Sequence, residues 1–254
     1  MSRSAKQFAY GAFYLVLFLL ILWGVFRALV PGPSCSDGIL NGDEAGVDCG
    51  GPCAPCAKAQ TEVLRPGTVQ AFSTQDGRTV FLAQVINPNA AYAAESFSYS
   101  FSISDSSGRH LGDTPSKTGR IHASERRYLF EPEVPAQFSS ADRAELTLSQ
   151  VVWRKASELP RIDIAASGVA TDVGSDGVRV LGAVKNQGPL TARGVKIVAL
   201  LHDRVGVPLF AAQTVLDEIA GGETQAFPPI KFPSDESLAR SVDPAATEIF
   251  VSGL

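Results

Sequence analysis

Histidine is scarce: His110, His122 and His202 are the only three in 254 residues. None has a cysteine, histidine or carboxylate partner at a metal-binding spacing. No G-x-S-x-G elbow, phosphate loop or dinucleotide fingerprint occurs. Hydrolysis, phosphoryl transfer and hydride transfer therefore have no motif to rest on. A catalytic triad assembled across the fold is spatial and would leave no such trace. His110 and His202 fall beside turns and His122 in a strand or loop, so all three are expected at the surface. Charge of one sign is lacking too. The net charge is −4 with both signs scattered, which argues against a nucleic-acid partner. Arg126-Arg127 is a short basic pair, expected on a solvated face. Beyond Ala57 there is no long apolar run and little helical periodicity. Cysteine is absent outside residues 35–56.

A long apolar run is present at the start. Phe8 to Phe26 reads FAYGAFYLVLFLLILWGVF, without a charge. At about 1.5 Å per residue it spans roughly the 30 Å of a bilayer's hydrocarbon core. Tyr10, Tyr14 and Trp23 suit the interfacial aromatic belts, and Arg3 and Lys6 precede the run while Arg27 alone follows closely. The expectation is an uncleaved anchor with its N-terminus in the cytoplasm and the rest outside. A cleaved signal would have a shorter run and a small-x-small site. A lipoprotein signal would want an aliphatic residue where Gly32 stands. A pilin would carry a glutamate early in the run. Pro31-Gly32-Pro33 stops the helix.

All four cysteines, Cys35, Cys49, Cys53 and Cys56, lie in CSDGILNGDEAGVDCGGPCAPC. Outside the cytoplasm a compact even set reads as disulfides, and four cysteines allow three pairings. A segment this short and glycine-rich needs such staples. Zinc is the rival. Cys53-x-x-Cys56 fits a knuckle, but Cys35 and Cys49 are far apart. A thioredoxin-like CxxC would need a strand before it and a helix after it. The acidic residues have two open readings. Asp37, Asn41, Asp43 and Asp48 partly match the spacing of a calcium loop, with Gly42 at its turn. Alternatively they form Asx turns that cap backbone amides. The order C-x-D-G-x-x-N-G-D-E-x-G-x-D-C-G-G-x-C-x-x-C resembles a cysteine-rich motif of secreted and surface-anchored bacterial proteins. The resemblance implies an extracytoplasmic, disulfide-bonded module without catalysis.

The rest of the chain repeats itself. Phe81, Ala83 and Val85, then Asn87, are answered by Val180, Gly182 and Val184, then Asn186. Phe97, Tyr99, Phe101 and Ile103 are answered by Val195, Ile197, Ala199 and Leu201. Such alternation marks strands with one buried face. Asp105-Ser-Ser-Gly108 pairs with Asp203-Arg-Val-Gly206 as a turn, and Glu125 pairs with Glu223. Closing strands fall around Leu146 and Leu148, then around Ile249 and Val251. Each copy has about a hundred residues, the size of a β-sandwich with its own core. Tyr128, Phe130 and Phe138 fall in a loop-like region, either lining a binding surface or packing at an edge.

The pattern in the second copy, Val184-Lys185-Asn186, Leu201-His202-Asp203, Gly206, Leu209 and Gly222-Glu223-Thr224, resembles the FxLYD family of Ig-like bacterial domains. The first copy departs from it, with Ser124-Glu125-Arg126 in place of Gly-Glu-Thr. The resemblance implies a sandwich fold and an extracellular setting, and it carries over no active site. The expected class is mainly β. An anchor (1–30) leads to a disulfide module (31–59) and tandem Ig-like sandwiches (60–157 and 158–254), with a linker near Ala156 to Arg161. The expected function is non-enzymatic, structural or protein-binding, on the outer side of a membrane, with no cofactor unless calcium. Its partner would be an envelope or extracellular protein, reached in one version by strand addition at a sheet edge. The alternatives are a calcium-dependent adhesion module and an envelope hydrolase.

Overall fold

The computed structural model of the chain describes residues 3–29, 34–56, 61–74, 78–134, 143–159 and 161–253. Side chains are described throughout these stretches except at 3–9, 26–29 and 133. Pro31-Gly32-Pro33, Phe138 and Pro160 lie outside the described residues. The chain divides into two compact units, residues 1–60 and 61–254.

In the first unit, helix α1 (Arg3–Leu29) contains the whole uncharged run of residues 8–26. Every side chain from Tyr10 to Val25 is exposed. Among the described residues no helix is long and apolar enough to cross a membrane. The part with described side chains is 16 residues long, about 24 Å against a hydrocarbon core of about 30 Å. The anchor thus rests on the sequence of residues 8–26.

The cysteine-rich segment folds around two disulfides, Cys35–Cys53 and Cys49–Cys56. With the sulfurs paired, a four-thiolate zinc site has no ligands. Cys49 is buried, and an antiparallel bridge joins Gly46 to Cys49. The chain turns sharply at Gly50-Gly51-Pro52, with positive φ of 82° and 55° at the two glycines. A side chain at Gly51 would fall 2.1 Å from the Asp43 carbonyl oxygen.

The second unit is mainly β. In its first half, β1 (Arg65–Ser73), β2 (Thr79–Ile86) and β6 (Arg126–Val134) form one sheet with β2 in the middle. The facing sheet centres on β3 (Tyr92–Ser104), with β4 (His110–Asp113) and β5 (Lys117–Ile121) along one side and β7 (Arg143–Lys155) along the other. Phe81, Ala83 and Val85 from one sheet meet Phe97, Tyr99, Phe101 and Ile103 from the other, with Phe81 stacked on Phe101 at 5.3 Å. These are the residues that alternation assigns to a core.

The second half repeats the topology. β9 (Gly177–Asn186) is the centre of a sheet with β8 (Ile164–Gly174), β12 (Thr224–Ala226) and β13 (Ile230–Lys231). β10 (Ala192–His202) sits between β11 (Pro208–Ile219) and β14 (Glu248–Ser252), and a short helix α2 (Glu236–Ser241) precedes the last strand. The repeat extends to single atoms. Asn87 Nδ2 donates to the carbonyls of Tyr92 and His122, and Asn186 Nδ2 to those of Leu190 and Ile219. Their own N–H groups donate to Glu125 O and Glu223 O. Asp105 Oδ1 accepts from the amides of Ser107 and Arg109, and Asp203 Oδ1 from those of Val205 and Val207. Gly108 and Gly206 both have φ of 84°. Where the second copy has Gly222 at φ 80°, the first holds Ser124 at φ 53°. The backbone is therefore the same although Ser-Glu-Arg replaces Gly-Glu-Thr.

One expectation needs correction. The core strands do not have a single buried face. Val80 and Leu82 point away from the Phe81 core, and both are buried, in one cluster with Phe72, Val198, Leu200 and Phe210. Val198 and Leu200 are likewise the opposite face of β10 from Ile197 and Ala199. Phe72 lies 5.6 Å from Phe210, and Tyr128 stacks on Phe250 at 3.8 Å. The β1-β2-β6 sheet therefore packs face to face on the β11-β10-β14 sheet. The two central sheets are covered on both sides, and residues 61–254 form one compact unit. The apolar runs TVFLAQVI and KIVALL carry this signal, since a strand buried on both faces reads as nearly continuous rather than alternating. The segment near 156–161 begins as a 3-10 turn, Ala156–Glu158.

Candidate functional site

The acidic residues of the cysteine module hold the loop together. Asp37 accepts from the Ser34 and Ile39 amides and from Asn41 Nδ2. The Asn41 side chain, then those amides, keep the Asp37 acid below its ordinary range. Both Asp48 oxygens accept from the Gly38 amide. Asp43 and Asp48 themselves sit at φ of 66° and 57°, where an aspartate tolerates a left-handed backbone. Glu44, which the spacing argument did not single out, accepts from the amides of Asn41 and Asp48. Asn41 Oδ1 is enclosed without a partner.

Among the described residues, Asp37, Asp43 and Asp48 do not gather as a trio of carboxylates within reach of one ion. The metal-ligating side chains that do converge are Cys35, Cys53 and Glu44, within 4.8 Å. Those two sulfurs are bonded to each other and offer no thiolate. The 3.4 Å approach of Glu44 to Cys53 Sγ is a packing contact, since a disulfide sulfur carries no proton.

The histidines depart from the surface placement expected of them. His122 is buried, with its Nδ1 unpartnered and its backbone N–H donated to Glu125 Oε2 at 2.6 Å. Burial pushes its pKa down, and Arg127 and Arg161 add to that against the pull of Glu125. His202 is buried too, with Nδ1 3.0 Å from Ala246 O. His110 is exposed. Its Nδ1 lies 3.2 Å from Ser102 Oγ and its Nε2 3.4 Å from Asp113 Oδ2. The hairpin register creates this trio, because Ser102 pairs with Asp113 and His110 with Ser104. The imidazole and the carboxylate are each more than half exposed and line none of the cavities described here.

The basic pair splits. Arg126 is exposed. Arg127 keeps only 10% of its side-chain surface exposed and is ion-paired with Glu125 at 3.0 Å, which corrects its expected place on a solvated face. Tyr128 and Phe130 are strand residues of β6, not loop residues, and pack on the second half. Both also line a cleft of about 500 Å³ between the two halves of the second unit. A second hollow of about 380 Å³ continues along Gln84, Arg126, Tyr128 and Phe250. Sequence reasoning could not find the cleft, because its walls come from strands more than sixty residues apart. Tyr99 opens onto it, and burial, then the Glu131 carboxylate, push its phenol up to about 12. Glu131 is itself buried, 2.7 Å from Lys117 Nζ, an ion pair by distance that lies off the hydrogen-bond direction.

No family model matches the chain, and no curated protein matches it. Among solved structures, a complex of the Amycolatopsis orientalis exo-chitosanase CsxA with PNP-β-D-glucosamine is 14% identical, with a TM-score of 0.28 over 73% of this chain and 25% of that one. A calcium-binding mutant of Bacteroides uniformis beta-glucuronidase 2 is 13% identical, with a TM-score of 0.19 over 64% of this chain and 23% of that one. The chain thus spans about a quarter of each neighbour's length. Likenesses this slight carry no argument about fold or chemistry.

Proposed function

We propose that the chain is a non-catalytic, single-pass envelope protein that presents a protein-binding surface outside the membrane. In this reading residues 8–26 anchor it with the N-terminus inside. The cysteine module is a stiff spacer, and the two halves of residues 61–254 are tandem Ig-like sandwiches of the FxLYD type. The partner would be another envelope or extracellular protein. The observation that carries the reading is the pairing of all four cysteines. Such bonds persist in an oxidising compartment, and they follow directly on an apolar helix. The repeat supports it further, because Asn87, Asn186, Asp105 and Asp203 are bonded into turns rather than presented for chemistry.

The test is topology. The full chain is expressed in bacteria, spheroplasts are treated with protease, and the peptides are mapped without reduction. The reading expects residues 61–254 to be digested from outside and the disulfides Cys35–Cys53 and Cys49–Cys56 to be found. A protected ectodomain with free thiols would sink it.

A second reading, a hydrolase, has one observation in its favour, the Ser102–His110–Asp113 contacts. A fluorophosphonate probe decides it. Labelling of Ser102 that disappears in His110→Ala supports a hydrolase, and no labelling supports a hydrogen-bonded surface trio.

A further inference from the structure

We propose that the cleft between the two halves of residues 61–254 binds a small amphipathic anion, an apolar body carrying one acidic head. Its volume of about 500 Å³ lies within the range of roughly 300–1,000 Å³ usual for ligand sites. Strand alternation builds its two kinds of wall. On β6 the outward face carries Tyr128 and Phe130. On β10 the same face runs Gly194, Lys196, Val198, so an apolar floor leads to a charged rim. Gly194 has φ of 54°, and a side chain there would meet nothing within 4 Å, so the rim is left open. Ser96, Thr118 and Gln213 add polar groups around it.

The charges then choose the head group. Arg127 is neutralised by Glu125, and Glu95 by Arg154. What is left lining the cleft is Arg120 and Lys196, neither with a carboxylate partner among the described residues. Arg120 is held in place by its Nε, which donates to the Glu95 carbonyl. Two uncompensated cations at the rim of an apolar hollow favour an anion and disfavour a cation of the same shape.

The experiment uses the full chain in neutral detergent with two photoreactive probes, a diazirine analogue of dodecanoate and one of dodecyltrimethylammonium. Labelled peptides are mapped by mass spectrometry, with α1 as the reference for non-specific partition. The proposal expects the anionic probe to label residues 118–130 and 194–198, with cationic labelling there lower by roughly tenfold, a difference of about 1.4 kcal/mol. Lys196→Glu, at an exposed position, is expected to cut anionic labelling several-fold while circular dichroism stays unchanged. Ser96→Trp, which fills the cleft, is expected to remove it. Equal labelling by both probes, labelling confined to α1, or indifference to Lys196→Glu would each overturn the proposal.

Discussion

Asn186 has no accessible surface, and its side chain makes contacts that no hydrophobic residue can replace. It gives both amide hydrogens to carbonyls and accepts the Gly188 N–H. Asn186→Ala strands those groups in a dry interior, and a loss of about 3 kcal/mol is expected in urea unfolding. Asn87→Ala should cost a similar amount, because it ties the same corner in the other half. These residues were legible in the sequence because each closes the same apolar strand in both copies, although half of their donated bonds reach carbonyls 35 and 33 residues away. His122 was not, because burial is set by strands distant in sequence. Burial lowers its pKa from 6.5, so folding disfavours the charged ring. The unfolded chain takes up the proton first, so this stability is present above about pH 6.5 and is lost as pH falls below it. Glu125, Arg127 and Arg161 surround the ring and set the size of the effect. The urea midpoint is expected to fall between pH 7.5 and 5.0, and His122→Gln should shrink that fall. An equal fall in both proteins would show that other groups account for it.

At the scale of elements, β2 and β10 hold the second unit together through the faces that alternation leaves unassigned. The pairing of strands, the turns and the inner core were legible, since a period of two is visible in any one strand. The outer face was not, because burying Leu82 and Val198 requires a second sheet that no single strand specifies. Leu82→Ala removes a side chain that is 1% exposed and sits between the halves. A loss of about 2–5 kcal/mol is expected, the usual range for such cavities. The stack of Tyr128 on Phe250 tests the same contact with less disturbance, since the two residues belong to different halves. A double-mutant cycle of Tyr128→Leu and Phe250→Leu is expected to give a coupling of about 0.5–1.5 kcal/mol. A coupling near zero would mean that the halves do not hold this arrangement in solution.

For the whole molecule, the central question is whether residues 61–254 unfold as one body or as two. Tandem sandwiches with separate cores, as the repeat suggests, would melt independently. Two central sheets buried on both faces predict otherwise, because loss of either half exposes the outer face of the other. Unfolding enthalpy scales at about 0.7 kcal/mol per residue near 60 °C. The 194 residues of the unit melting together then carry about 135 kcal/mol, against about 70 for either half alone. Calorimetry on the full chain under non-reducing conditions separates the cases. A single transition with van't Hoff and calorimetric enthalpies in agreement is expected, because the interface includes Phe72, Val80, Leu82, Val198, Leu200 and Phe210. A van't Hoff value near half the calorimetric one would return the molecule to two autonomous sandwiches on a flexible joint. The cleft proposed as a ligand site would then lack a fixed shape. Cooperative melting would instead make the two halves one rigid body, with the cleft held between them at constant width.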